Sequence, residues 1–173
     1  MNNVFKLTGL ALLFSALAVQ AGPSPQTGTL NVTASVAKSC SITGTSNVAF
    51  GAYDPADTNF ATPLDASGNV TVRCTKNTTY DIALGQGANA ASGSTCVAPL
   101  RQMASGGERL SYNLYSNAAR TSVWGCDASN DVTNTETVGP SSPDTITVYG
   151  RIPAGQDVAD GSYSDTVTVT VTF

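Results

Sequence analysis

Four cysteines, at positions 40, 74, 96 and 126, and twelve acidic side chains are the residues of this chain best suited to chemistry. The sequence contains no histidine, so neither a Ser–His–Asp nor a Cys–His nucleophile has its base. The cysteines stand too far apart for a C-x-x-C zinc knuckle. Asp54 with Asp57, and Asp157 with Asp160, have the chemistry of a glycosidase pair, but they lie beside Pro and Gly, where Asp stabilises turns. Asp127-Ala-Ser-Asn-Asp131 offers oxygen ligands without the spacing or glycine of a calcium loop, and reads as a solvated turn. The chain is expected to be no enzyme and to use no metal or cofactor.

Trp124, Tyr112, Tyr115 and Tyr149 are read as core or subunit contacts in preference to a sugar-binding platform. Three Asn-x-Thr triplets, beginning at Asn31, Asn69 and Asn77, match glycosylation sequons, and Thr-rich strands produce such triplets by chance.

The cysteines fit a compartment where disulfides persist. Lys6, the apolar run Leu7–Val19 and the small-residue site Val19-Gln20-Ala21 have the layout of a secretory signal, so residues 1–21 are expected to be removed on export. The apolar run is too short to span a bilayer, and no membrane insertion of the mature chain is expected. The formal charge of −4 over the 173 residues becomes more negative once Lys6 is lost, which argues against nucleic acid or an anionic lipid surface as partner. Four cysteines allow three pairings. Strand order favours Cys40–Cys74 across two neighbouring strands and Cys96–Cys126 between two long loops.

Positioning falls to β-strands. Hydrophobic residues make up 41% and charged residues 12% of the chain, and no amphipathic helical repeat follows the first twenty residues. From Thr166 the C-terminal stretch alternates strictly, with Val167, Val169, Val171 and Phe173 on one face and threonines on the other. The sequence offers this strand no later hairpin partner, so its open edge is expected to be covered by a distant segment or by another molecule.

A second alternating run, Thr29–Val36, puts Leu30, Val32, Ala34 and Val36 on one face and leads into Cys40-Ser-Ile-Thr43. Its end near Val36 is expected to join the domain's own first strand. Val48–Leu64 reads as an irregular edge or crossover. Further strands are expected over Gly68–Thr75, around Tyr80, Ile82 and Leu84, over Leu110–Tyr115 and over Thr145–Ile152. Gly85–Gly107 and Gly125–Pro143 are read as long loops. The expectation is an all-β sandwich with six main strands.

Several motifs carry a resemblance: Cys40-Ser-Ile, Phe50-Gly, Val70-x-Val-x-Cys74, Leu110-Ser-Tyr-Asn-Leu-Tyr-Ser-Asn-Ala-Ala-Arg120, Trp124-Gly125, Tyr149-Gly-Arg-Ile-Pro-Ala-Gly155 and the terminal Gly161–Phe173. Together they resemble the spore coat protein U domain family, whose best understood members are subunits of archaic (Csu-type) chaperone–usher pili. The resemblance implies an incomplete immunoglobulin-like β-sandwich whose seventh strand is supplied in trans. It divides the chain into a signal at 1–21, a donor-strand arm at 22–36 and a pilin-like domain at 37–173.

The resemblance also implies a periplasmic chaperone, an outer-membrane usher and neighbouring pilus subunits as partners, with final location in a cell-surface pilus. Leu30, Val32, Ala34 and Val36 would be donated to the preceding subunit. Val167, Val169, Val171 and Phe173 would wall the acceptor groove and contact the chaperone. Two other readings stay open: a tip or adaptor adhesin, and a secreted coat protein that does not use an usher. Tip adhesins in such systems carry an extra N-terminal domain, for which this chain has too few residues.

Overall fold

The computed structural model describes residues 22–173; the expected signal at 1–21 lies outside them. The chain divides into two units, residues 1–35 and 36–173. Residues 22–39 contain no strand or helix.

The domain is built from alternating runs. Eight strands run in the order β1 (Cys40–Ser46), β2 (Leu64–Cys74), β3 (Thr79–Leu84), β4 (Arg101–Ser105), β5 (Glu108–Tyr115), β6 (Val132–Thr135), β7 (Asp144–Ile152) and β8 (Val169–Thr172), and a single helical turn, α1 (Thr58–Ala61), lies between β1 and β2. They form a five-stranded sheet, β1-β2-β7-β5-β4, and a three-stranded sheet, β6-β3-β8. All pairings are antiparallel. This is an all-β sandwich of the immunoglobulin-like kind.

The inward rows follow from period two. Val70, Val72 and Cys74 of β2, Leu110, Tyr112 and Leu114 of β5, and Val148 and Ile152 of β7 face Tyr80, Ile82 and Leu84 of β3, and all are buried. Trp124 is fully buried among them and donates its indole N–H to the Ile82 carbonyl at 2.8 Å. Burying a large aromatic with its one donor satisfied is the favourable arrangement, and Trp124 belongs to the core. Tyr112 is core as well, while Tyr115 and Tyr149 pair across β5 and β7 on the outer face.

The two disulfides join Cys40 to Cys74 and Cys96 to Cys126. The first links directly opposed residues of β1 and β2; the second staples the loop before β4 to the loop before β6.

Several sequence expectations are corrected. There are eight strands, not six, because β4 and β6 lie inside the segments read as loops. β4 escaped the pattern because its first inward position is an arginine: Arg101 is 1% exposed, and its guanidinium donates to the carbonyls of Gly85, Leu84 and Trp124 at 2.8–2.9 Å. Burial draws its pKa down to about 10, which still leaves it charged at neutral pH. β6 is a short edge strand with little apolar content, Val132-Thr-Asn-Thr.

β2 begins at Leu64, earlier than Gly68. Val36 does not join the first strand, which starts only at Cys40; the ladder opens where the disulfide ties β1 to β2, and the alternation upstream has no strand partner among the described residues. Asp54 and Asp127 do the work of turns, each carboxylate accepting nearby backbone N–H groups.

Candidate functional site

The edges of the two sheets leave a groove between them. Along one side runs the C-terminal segment from Val158 into β8; along the other runs the end of β1 continuing through Tyr53. The C-terminal segment uses one of its backbone edges for the domain itself. Ser164 exchanges hydrogen bonds with Ala104, Thr166 O accepts from Ala88, Thr168 O accepts from Gly85, and Val169–Thr172 pair with β3. These bonds use the even-numbered residues before the strand proper. By antiparallel parity the N–H and C=O groups of Asp165 and Val167 point to the opposite edge, toward the groove. Their side chains point inward: Tyr163, Asp165, Val167 and Val169 are half-buried while Ser164, Thr166 and Thr168 are exposed.

The groove holds two adjoining cavities, about 570 Å³ and 670 Å³. The first is floored by core side chains, Val70, Leu84, Leu114 and Val148, and edged by Val167 and Val169. The second runs over Leu110 and Ile152, beside Val158 and Tyr53. Both are bounded by Val48, Ala49, Phe50, Met103 and Tyr163.

Glycine makes the wall possible at one point. A Cβ on Gly150 would lie 2.5 Å from Val48 Cγ1 and 2.7 Å from Phe50 Cζ, so only glycine lets the Val48–Phe50 segment settle on β7. Phe50 then meets Tyr112 edge-on, with ring centroids 6.2 Å apart. Tyr53 fixes the other end of the wall: its hydroxyl donates to the Pro153 carbonyl and accepts from Gln156 N, both at 3.0 Å.

A polar cluster lies within the groove. Tyr112 donates its hydroxyl to Asp165 Oδ2 at 2.7 Å, and Asn89 N and Nδ2 donate to Asp165 Oδ1 at 3.0 and 3.1 Å. Burial, reinforced by the bond to Asp165, pushes the Tyr112 phenol well above its ordinary range. The carboxylate is thus held by three donors, and its Coulomb attraction extends to Arg101.

The site residues expected from sequence separate into two groups. Val167 and Val169 line the groove. Val171 packs against the core farther along β8, and Phe173 is 53% exposed, so neither borders the cavities. Leu30, Val32 and Val36 are 84–87% exposed, and Ala34 is exposed with them. Phe50, Met103 and Tyr163 were missed as groove residues. Two of them, Phe50 and Tyr163, sit inside motifs visible in the sequence, but outside regular alternation.

A groove with an apolar floor and a free backbone edge is suited to receiving an extended strand. The domain is similar to a chain in the crystal structure of the CsuC–CsuE chaperone–tip adhesion subunit pre-assembly complex from archaic chaperone-usher Csu pili of Acinetobacter baumannii, with a TM-score of 0.50 and 25% identity over 80% of this chain. The match spans only 40% of that solved chain. Protein U of Myxococcus xanthus is 39% identical over 181 aligned residues, covering 99% of both chains. Residues 26–170 match the spore coat protein U domain, and the chain belongs to that family.

Proposed function

We propose that the protein is a structural subunit of a cell-surface pilus, exported by a signal at 1–21, held by a periplasmic chaperone and polymerised at an outer-membrane usher by donor-strand exchange. The fibre serves adhesion and biofilm formation. The observation that carries this reading is a complementary pair within one chain: a groove with a free backbone edge and an apolar floor, and an arm whose apolar row is exposed.

Leu30, Val32, Ala34 and Val36 supply the side chains, and Val167 and Val169 edge the receiving surface. Burying a Leu- or Val-sized side chain is worth roughly 1.5–3 kcal/mol, against the cost of ordering the arm. Main-chain hydrogen bonds to the free edge add to this. The chaperone occupies the same groove with a strand of its own until the arm of another subunit replaces it.

The test is expression of the full-length chain with and without its periplasmic chaperone. Together they should yield a soluble one-to-one complex; alone, the chain should form oligomers linked through the arm. A stable monomer after deletion of residues 22–34 contradicts the proposal, since nothing would then fill the groove.

A second reading draws on the full-length similarity to Protein U: a coat-surface protein that associates without an usher. A chaperone gene and an usher gene beside this one favour the pilus; their absence favours the coat.

A further inference from the structure

Away from the groove, the outer face of the five-stranded sheet carries two aligned rows of side chains across β2, β7 and β5. One row is Asp65, Arg151 and Asn113; the next is Ser67, Tyr149 and Tyr115. The rows lie two residues apart along each strand, roughly 6.7 Å. Of the six tyrosines, four commit their hydroxyls inside the domain, Tyr53 to Pro153, Tyr80 to Asp144, Tyr112 to Asp165 and Tyr163 to Ala159. The hydroxyls of Tyr115 and Tyr149 have no hydrogen-bond partner among the described residues, and both side chains are half-buried.

The polar groups beside these rings are held firmly. Arg151 grips Asp65 with both prongs of its guanidinium, Nε to Oδ1 at 2.7 Å and Nη2 to Oδ2 at 2.8 Å. This leaves Arg151 Nη1 without a partner among the described residues. Arg120 approaches from the loop after β5. It lies 5.6 Å over the Tyr149 ring and 3.3 Å from Asp65 Oδ2, and it donates to the carbonyls of Gly150 and Ala66. To reach that place Arg120 takes a φ of 55°, uncommon for a residue other than glycine. Asn117 fixes the turn, its Oδ1 accepting from Thr121 N and Ser122 N at 3.0 and 3.2 Å.

Charge and chemistry narrow the occupant. Two guanidiniums against one carboxylate make this cluster locally cationic on a chain of formal charge −4, which suits an anion. The outward rows of β2, β7 and β5 hold no aliphatic side chain, whereas the centre of a protein–protein interface is apolar. Tyrosine rings flanked by fixed hydrogen-bonding groups suit a sugar, which has C–H bonds to lay on a ring and hydroxyls to pair. We propose that this face binds a carboxylated polysaccharide, its pyranose rings against Tyr115 and Tyr149 and a uronate carboxylate on Arg151 Nη1 and Asn113 Nδ2. The guanidinium and the amide face each other across β7 and β5 and donate together, one bond being charge-assisted. The site is independent of whatever fills the groove.

Calorimetric titration of the purified full-length chain with oligogalacturonate and with alginate oligomers tests this. At least one should bind saturably, with dextran oligomers and polyglutamate roughly ten-fold weaker or worse. Tyr115→Ala should weaken binding roughly ten-fold and Asn113→Ala about three-fold, while Tyr115→Phe, which keeps the ring, should stay within about three-fold of wild type. Arg73→Gln, on the same face but roughly 26 Å along β2 from Asp65, should change nothing. Absence of binding to both acidic oligomers overturns the proposal. Equal binding of polyglutamate reduces it to ion exchange, and equal binding of dextran removes the role of the carboxylate. An Arg73→Gln loss matching that of Tyr115→Ala replaces the site with diffuse attraction. If Tyr115→Ala shifts the sedimentation coefficient and leaves sugar binding intact, the face joins protein copies and the saccharide reading fails.

Discussion

The Tyr112 hydroxyl donates to Asp165 Oδ2 at 2.7 Å, joining β5 of the larger sheet to the segment that edges the smaller one. The bond crosses the sandwich at the groove, so it holds the receiving edge in place before anything occupies it. A hydrogen bond to a charged acceptor is worth roughly 1.5–3 kcal/mol. Tyr112→Phe should cost about that much in chemical denaturation, because Asn89 continues to hold the carboxylate. A loss under a few tenths of a kcal/mol would show that the edge is positioned by packing alone.

Arm and groove should respond differently to charge. On the proposed pilus reading, Val32→Asp should stop polymerisation yet leave capture by the chaperone intact, because in that scheme the chaperone does not need the arm. Val169→Asp should damage both if, as proposed, both donors use the groove that Val169 lines. Chaperone co-purification scored beside fibre formation distinguishes them; identical behaviour of the two variants would refute the division of roles.

Gly150→Ala should destabilise the domain by roughly 1–3 kcal/mol, the usual cost of overpacking. It should also disturb the groove, since the new methyl meets Val48 and Phe50. A thermal shift paired with chaperone affinity measures both effects, and a variant with full stability and affinity would count against the close approach.

Alkaline pH gives a signed test on Tyr80. Burial and the bond to Asp144 raise its phenol above the ordinary value, so the folded state keeps a proton that the unfolded state sheds from about pH 10. The contribution is complete below the unfolded value and is lost as pH rises toward the folded one. Relative to wild type, Tyr80→Phe should therefore gain about 1.4 kcal/mol per pH unit above pH 10. The difference between the two proteins cancels the opposite contribution of Arg101, whose value burial lowers. Parallel stability curves from pH 9 to 11.5 would rule the effect out.

Replacing Cys96 and Cys126 together by Ala should lower stability by about 2–4 kcal/mol, as expected for releasing two loops, with little change at the groove, which neither cysteine lines. Equilibrium unfolding and chaperone binding together decide whether the staple is confined to the loops.

Regular alternation foretold the strands with one buried face, β2, β3, β5 and β7, because period two is imposed by the pleat itself. It failed where tertiary contacts override local pattern. Arg101 takes an inward place because three carbonyls at the ends of neighbouring segments satisfy it, a circumstance no local window contains. Phe50 and Tyr163 wall the groove from irregular backbone, and only the close approach at Gly150 and the bonds around Ser164 place them there. At the N-terminal end, alternation identified a strand-forming face on Leu30–Val36 without saying whose sheet it would join. The physical boundary is Cys40, where the ladder with β2 begins.

That boundary also bears on mechanics. In a filament of copies joined arm to groove, pulling force leaves each arm and enters the next domain at Cys40. A covalent bridge waits there, joining Cys40 to Cys74 at the far end of β2, a strand flanked by β1 and β7. Tension passes through sulfur into the interior of the larger sheet instead of unzipping β1 one hydrogen bond at a time. The filament should lengthen under load by release of arms from grooves before any domain unravels from its N-terminal edge.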